Sequence, residues 1–325
     1  MFHIKYTPDK LDAFKLNMEL RKTIKNMIFD KEIMNTCIYG PNGVGKYTAA
    51  KVILRELYGP GIYNTNEKNF KFKTKEINML SSQYHFELKL NQYTFTDKSS
   101  FIELIKHFCE SYNVHTNNYQ IILIKNAHYL TNESIQSLKK LSEKYDKTIR
   151  FIMTSNSITK MRASLTNFIY IRVPIETIIH SVNYYQSICD KEHINMNYDL
   201  ESIVKDNKFN INKILLELET IKISGKRFDV EIDNLFNKLF HLIKHFKMTE
   251  FPKLRDIMYH IITRNIEKKE IFTRFTDHFI YSKDIINIIA RFQHRTCDTY
   301  KAIMHIESMI INIIHNIHSS SSSKN

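Results

Sequence analysis

The stretch CIYGPNGVGKYTAAKVILRELYG, Cys37 to Gly59, decides the fold. An apolar strand candidate, Cys37-Ile38-Tyr39, runs into a glycine-rich turn, Gly40-Pro41-Asn42-Gly43-Val44-Gly45-Lys46, and a helix-compatible run follows. Strand, loop, lysine and helix in that order form the context of a phosphate-binding loop. Several backbone N–H groups must turn inward around one phosphate, which requires conformations and close approach that a Cβ obstructs. Gly40, Gly43 and Gly45 supply that freedom, and they are half of the six glycines in the chain. Lys46 offers a point charge to the β- and γ-phosphates, and the N-terminus of the next helix adds its partial positive charge. ATP or ADP is the expected ligand.

One position departs from an ordinary ATPase. The hydroxyl that ligates magnesium normally follows the lysine directly, but that place is held by Tyr47 and the threonine is displaced to Thr48. Binding of Mg2+ is left open by this change. The strand that should carry the metal-organising and water-activating acids is Gln120 to Ile124, a continuous apolar run ending in Lys125-Asn126-Ala127-His128. Glu110 and Glu133 are the flanking carboxylates, with none between them, so a small register shift supplies no acid. Hydrolysis in this site is not expected. Lys125 and His128 read as a solvated strand end, with contact to phosphate or to a neighbouring chain as the alternative.

The 325 residues, 43% of them hydrophobic, suffice for a substantial core and for two or three domains. No apolar run approaches the ~20 residues of a membrane span, and the charged N-terminal stretch lacks a signal-peptide core. An intracellular protein with no membrane partner is expected, nuclear or cytoplasmic. Cys37, Cys109, Cys189 and Cys297 are widely spread and read as reduced thiols. His305, His315 and His318 on an apolar helix give a metal site little support, and none is expected. The formal charge of +13 suggests a polyanionic partner, most simply nucleic acid. Heavy use of Lys, Asn, Ile and Tyr is also what an AT-rich coding genome produces, so charge alone decides little.

Up to about Val173 short apolar strands alternate with helical segments, which implies a parallel α/β layer. The strand candidates are Cys37 to Tyr39, Tyr84 to Leu90, Gln120 to Ile124, Ile149 to Thr154 and Phe168 to Val173. Asn132 to Tyr145 reads as an amphipathic helix capped by Thr131, with Lys139, Lys140 and Lys144 on its polar side. After Pro174 helix takes over: Ile175 to Glu192, Leu200 to Lys205 and Asn210 to Ile223 suggest a small lid, ended near Gly225. From about Glu231 the helical patterns lengthen into a second all-helical module. Apolar stripes at Met248 to Thr263 and Tyr300 to Ile317 suit either core or a surface for neighbouring subunits. Ser319 to Ser323 reads as an unstructured end.

With these parts in place the chain resembles the small subunits of the replication factor C clamp loader, in the AAA+ superfamily, and most of all the branch whose loop carries a basic residue and then threonine after the lysine. The resemblance rests on YGPNGVGKYT at Tyr39 to Thr48, ILRELYGPGIY at Ile53 to Tyr63 and SSQYHFEL at Ser81 to Leu88. It continues through LTNESIQSLKKLSEKY at Leu130 to Tyr145, RFIMTSNS at Arg150 to Ser157, IRVP at Ile171 to Pro174 and YKAIMHIESMI at Tyr300 to Ile310. It implies an α/β AAA+ P-loop domain over 1–174, a parallel five-stranded sheet flanked by helices. A helical lid over 175–228, an all-helical collar over 229–318 and a tail over 319–325 would follow.

The resemblance also implies roles. Gly40, Pro41, Asn42, Gly43, Val44, Gly45, Lys46, Tyr47 and Thr48 would hold the nucleotide, with Asn156 at the sensor-1 position. Lys139 and Lys140 fall where the family places a basic pair facing the DNA channel. The family's Ser-Arg-Cys finger is replaced by Thr166-Asn167-Phe168, with Arg162 a few residues earlier, and the sensor-2 arginine by Asn212 beside Lys213. Losing an arginine finger typically costs about 10³-fold or more in rate. The implied function is a subunit of a clamp loader that places a sliding clamp on primed double-stranded DNA. Its partners would be the other subunits of a hetero-oligomer, a pentamer, and it would bind ATP or ADP without hydrolysing it. Two other readings remain: an independent P-loop ATPase acting on DNA, and a DNA-binding scaffold with a vestigial nucleotide site.

Overall fold

The computed structural model describes residues 1–28, 33–72, 75–90, 98–110, 119–195, 198–227, 229–263, 266, 268–297 and 302–322. Two compact units divide the chain, Met1–Ser224 and Gly225–Asn325. The first is built on strands β1 (Thr36–Tyr39), β2 (Asn66–Phe72), β3 (Lys75–Ser81), β4 (His85–Lys89), β5 (Gln120–Lys125), β6 (Ile149–Ser155) and β7 (Ile169–Arg172). Their order across one sheet is β2-β3-β4-β5-β6-β1-β7. The five expected strands all form and lie parallel to one another. Two further strands correct the expected count: β2 and β3 pair antiparallel and join the edge of β4 through Leu80↔Glu87 and Ser81↔Phe86, making a mixed sheet of seven.

Helix α1 (Phe2–Lys5) opens the chain, and around this sheet lie α2 (Met18–Met27), α3 (Lys46–Tyr58), α4 (Lys98–Glu110), α5 (Asn132–Lys144) and α6 (Thr159–Ser164). Strand β5 explains the layering. Its four central residues are fully buried, and because successive side chains of a strand face opposite ways, they divide between two cores. Ile122 and Ile124 join Phe101 and Ile105 of α4 and Ile135 and Leu138 of α5. Ile121 and Leu123 join Leu20 and Ile24 of α2 and Val52 and Ile53 of α3 on the other face. Helix α5 starts where its sequence predicts, since the Thr131 hydroxyl accepts the Ser134 backbone N–H at 3.2 Å.

Helices α7 (Ile178–Glu192), α8 (Leu200–Asp206) and α9 (Ile211–Ser224) complete the first unit. They pack on Tyr185, Ile188, Leu200, Ile203, Ile214 and Leu218, and Phe2 of α1 inserts into the same cluster. In the second unit, the described helices are α10 (Asp229–Lys244), α11 (Phe251–Thr263), α12 (Lys268–His278), α13 (Lys283–Cys297) and α14 (Ala302–Ser322). Its core is aromatic and aliphatic: Phe240 meets Phe275 edge-on at 5.1 Å, and Phe236, Ile289, Met309 and Ile310 surround them. Leu254, Met258 and Ile261 of one apolar stripe and Ile306, Met309, Ile310, Ile313 and Ile314 of the other lie in that core, so both stripes are packing faces. Tyr300 lies outside the described residues.

The chain end differs from its expected form. Helix α14 continues to Ser322, and the Ser319 hydroxyl donates back to the Asn316 carbonyl at 3.1 Å. Extending an existing helix adds one backbone bond for each residue fixed, so a polar run prolongs a helix that it could not begin. Cys37 and Cys189 are buried free thiols, pushed up by burial to about 12 and about 11. The side chains of Cys109 and Cys297 lie outside the described residues. Among the described residues, no helix is long and apolar enough to cross a membrane.

Candidate nucleotide-binding site

The loop from Gly40 to Lys46 sits where β1 ends and α3 begins, beside the C-terminal ends of the parallel strands, the usual ligand position in such sheets. A Cβ on Gly40 would stand 2.5 Å from the Val173 carbonyl oxygen, so only glycine lets β1 leave the sheet this closely. Gly43 has φ +79°, and the Asn210 side chain fills the space that a Cβ would need. The Gly43 carbonyl accepts the backbone N–H of Ile211 at 3.0 Å, while the Asn210 side-chain oxygen caps the Lys213 N–H. The first turn of α9 is thereby fixed to the loop. Lys46 is buried and donates to the carbonyls of Gly40, at 2.8 Å, and Pro41. Burial draws its ammonium down to about 8.

A cavity of about 670 Å³ opens over this loop. Asn42, Gly43, Val44, Gly45, Lys46, Tyr47 and Thr48 line one side, with Lys125, Asn126, Thr154 and Asn156 from the strand ends. Gly40 and Pro41 contribute through their bonds to Lys46. The same cavity is lined by Asn212, at the sensor-2 position, and by residues whose part the sequence did not disclose: Thr7, Pro8, Phe14 and Asn17 before the sheet, and Tyr184, Ile211 and Leu215 from α7 and α9. Asn17 and Asn156 each hold a buried side-chain oxygen with no donor among the described residues. Such an acceptor costs about 1–3 kcal/mol until a donor arrives, which suits a ligand site.

Asn156 meets His128: its backbone N–H donates to Nδ1 at 3.4 Å and its amide lies 3.3 Å from Nε2. Burial, and then the charge of Lys46, hold His128 below the ordinary histidine range. His128 is thus half-buried beside Asn156 rather than a solvated strand end. Lys125 corrects its expected solvation more sharply. Its ammonium lies 2.9 Å from Oε2 of Glu87 and 3.5 Å from the centre of the Tyr47 ring.

Glu87, on β4 beside Leu123 of β5, is 2% exposed and organises the polar end of the cavity. Oε1 faces the Lys51 ammonium and Nε2 of His85, the latter at 2.9 Å. Oε2 takes the Lys125 ammonium and the Tyr47 hydroxyl, each at 2.9 Å. Tyr47 and Lys51 are one turn apart on α3 and so present one face to the carboxylate. Burial opposes ionisation of Glu87, but the hydrogen bond from His85 and the charges and bonds of Lys125 and Lys51 outweigh it, leaving its carboxyl well below the usual range. Burial, with Glu87 beside it, pushes the Tyr47 phenol far up. Burial lowers His85, whose neutral ring accepts from Ser82 at Nδ1 while Nε2–H faces Glu87.

The remaining predicted positions are dispersed. On α5, Lys140 is exposed and Lys139 half-buried. Asn167 donates to the Ser142 hydroxyl of α5 at 2.9 Å, and Phe168 is buried in the core below. Arg162, on α6, is exposed. Asn212 lines the cavity, while Lys213 is exposed on α9. Among the described residues, no cluster of three His, Cys, Asp or Glu could hold a metal ion.

The α1 segment is latched to the lid beside this cavity. Glu192 of α7 is bound by Lys222 of α9 at 2.8 Å, by Lys5 and by the Tyr6 hydroxyl. The bonds from Lys222, Lys5 and Tyr6 hold its carboxyl at about 2. A depressed carboxylate stabilises the fold above its unfolded value, about 4.5, and that contribution is lost as pH falls toward about 2. Glu192→Gln is expected to release the latch already at neutral pH. Limited proteolysis should then cut near Tyr6 faster than in the wild type, and unchanged cleavage would show that Phe2 alone seats the segment.

A mixed sheet with a glycine loop after β1, a polar residue at the end of β6 and a three-helix lid defines an AAA+ nucleotide-binding domain. The model of the ATPase family associated with various cellular activities (AAA) matches residues 36–177. Similar proteins include replication factor C subunit 3 of Homo sapiens, 24% identical over 94% of this chain and 93% of its own. Subunit 5 of Saccharomyces cerevisiae is 25% identical over 95% of this chain and 97% of its own. A putative replication factor C small subunit of Acanthamoeba polyphaga mimivirus is 28% identical over 88% and 82%. Residues 36–177 thus form an AAA domain, and the chain is similar to replication factor C subunits along nearly all of its length.

Proposed function

We propose that this chain is a non-hydrolysing subunit of a clamp loader. It holds ATP or ADP between the Gly40–Lys46 loop and the lid while companion subunits hydrolyse ATP to place a sliding clamp on primed double-stranded DNA. The observation that carries this reading is an intact phosphate loop in a site whose described residues include no hydrolytic acid at the end of β5. Lys125 and Asn126 stand where the two acids belong, and Lys125 is paired with Glu87. Asn167 stands in the finger position and is bonded to Ser142, so it brings no charge to a neighbour's nucleotide. Similarity to replication factor C subunits along 94–95% of the chain supports assembly with others of that kind. Exposed Lys140 and its neighbour Lys139 are the phosphate-backbone contacts.

The test is ATP turnover and clamp loading by the assembled complex, with primed DNA, with and without this chain. Both activities should require the chain and should largely survive Lys46→Ala within it. Replacing Lys139 and Lys140 together by alanine should weaken DNA binding and reduce the slope of log K against log salt by up to about 1.8. A complex that assembles and turns over equally well without the chain would overturn the proposal.

A further inference from the structure

An AAA+ fold implies a magnesium ion beside the terminal phosphates, and the donor set here does not suit one. Mg2+ requires near-octahedral oxygen ligands, usually a carboxylate and a hydroxyl besides phosphate and water. The side chain directly after the loop lysine is Tyr47, whose hydroxyl is bonded to Glu87. The residue at the end of β5 is Lys125, a cation whose ammonium lies 3.5 Å over the Tyr47 ring. Glu87 is the carboxylate of this end of the site, and Lys51, His85, Lys125 and Tyr47 occupy its oxygens. An ionised carboxylate offers about four lone-pair sites, and all are engaged.

The same cluster supplies what the metal would otherwise bring. Two ammoniums, Lys51 and Lys125, face one carboxylate, so the cluster keeps an unbalanced positive charge. Lys51 and Lys125 line the cavity together with Lys46 and Lys89. Tyr47 completes the arrangement, since its ring face attracts the Lys125 ammonium and its hydroxyl fixes Glu87 beneath it. A free polyphosphate therefore meets fixed cations, whereas a metal-bound one brings a second cation against them.

We propose that the Lys125–Tyr47–Glu87 cluster takes the place of the divalent ion, so that this subunit binds metal-free nucleoside di- and triphosphates, their terminal phosphates countered by Lys46 and Lys125. The proposal rests on the nucleotide-site reading above and deepens it. Metal-free binding also removes one requirement for phosphoryl transfer, in keeping with a site that retains its nucleotide.

The experiment is calorimetric titration of the purified full-length chain with ADP and with ATP, once with excess Mg2+ and once with EDTA. The affinities should agree within about twofold or be tighter in EDTA, since the Glu87 carboxylate and the Tyr47 hydroxyl are held within the cluster and not offered to a metal. Lys125→Met, checked for an unchanged circular dichroism spectrum, should lose about tenfold or more in EDTA. Should Lys125→Met not fold, Tyr47→Thr paired with Lys125→Asp provides a second probe, expected to bind more tightly with Mg2+ than without it. Wild-type binding that weakens about tenfold or more in EDTA would overturn the metal-free site while leaving the nucleotide site standing. Absence of binding in both conditions would overturn the nucleotide site itself.

Discussion

Glu87→Ala is expected to destabilise the first unit by about 3–5 kcal/mol, the usual cost of removing one partner from a buried ionic network. The carboxylate joins four side chains from three directions: Lys51 and Tyr47 of α3, His85 of its own strand and Lys125 of β5. Without it the buried Lys51 and the partly buried Lys125 lose their counter-charge. For a unit of this size the midpoint of thermal unfolding should fall by roughly 10 °C. Adding Lys125→Met to Glu87→Ala should recover part of the loss, because it removes one unpaired charge, so the two changes should not be additive. A midpoint within about a degree of the wild type would mean that apolar packing alone holds α3 to the edge of β4.

That network marks where the sequence stops being legible. The parallel strands announce themselves because burial on both faces demands unbroken apolar runs, as Ile121 to Ile124 display. The β2–β3 hairpin carries no such sign, since NEKNFKF and KEINMLS mix charge with apolar residues as edge strands do. Local spacing likewise reveals the Gly40–Lys46 loop, whose parts are consecutive. Asn156 was placed through the family resemblance of its segment, and the structure sets it in the same cavity. Glu87 was hidden because its role depends on register. It lies beside Leu123, so a search for acids along β5 alone passes over the carboxylate on the adjacent strand. Lys125 escapes the sequence for the same reason: a lysine ending an apolar strand looks solvated until its partner is known. Thr7, Pro8 and Asn17 were equally invisible, because residues far apart in the chain close the cavity only after the lid has folded.

Lys46→Ala separates recognition from stability in the way that Glu87 cannot. Without ligand, the Lys46 ammonium is buried against two carbonyls and drawn down to about 8, so folding disfavours its charge relative to the unfolded chain. Removing it should cost the fold little. Bound phosphate supplies the missing counter-charge, and a charge-assisted contact of this kind is worth about 1.5–3 kcal/mol. The variant should therefore bind ADP and ATP about 10- to 100-fold more weakly, by titration, with a nearly unchanged unfolding midpoint. Proton linkage fixes the pH profile. Phosphate raises the pKa of Lys46 in the complex above about 8, so the bound state holds more protons, and wild-type affinity should be greatest below about pH 8 and fall as pH rises beyond it. Lys46→Ala should lose that slope, because the group that takes up the proton is gone. A wild-type affinity that stays level to about pH 9, together with an undiminished Lys46→Ala, would remove Lys46 from phosphate recognition and leave the work to the backbone N–H groups of the loop.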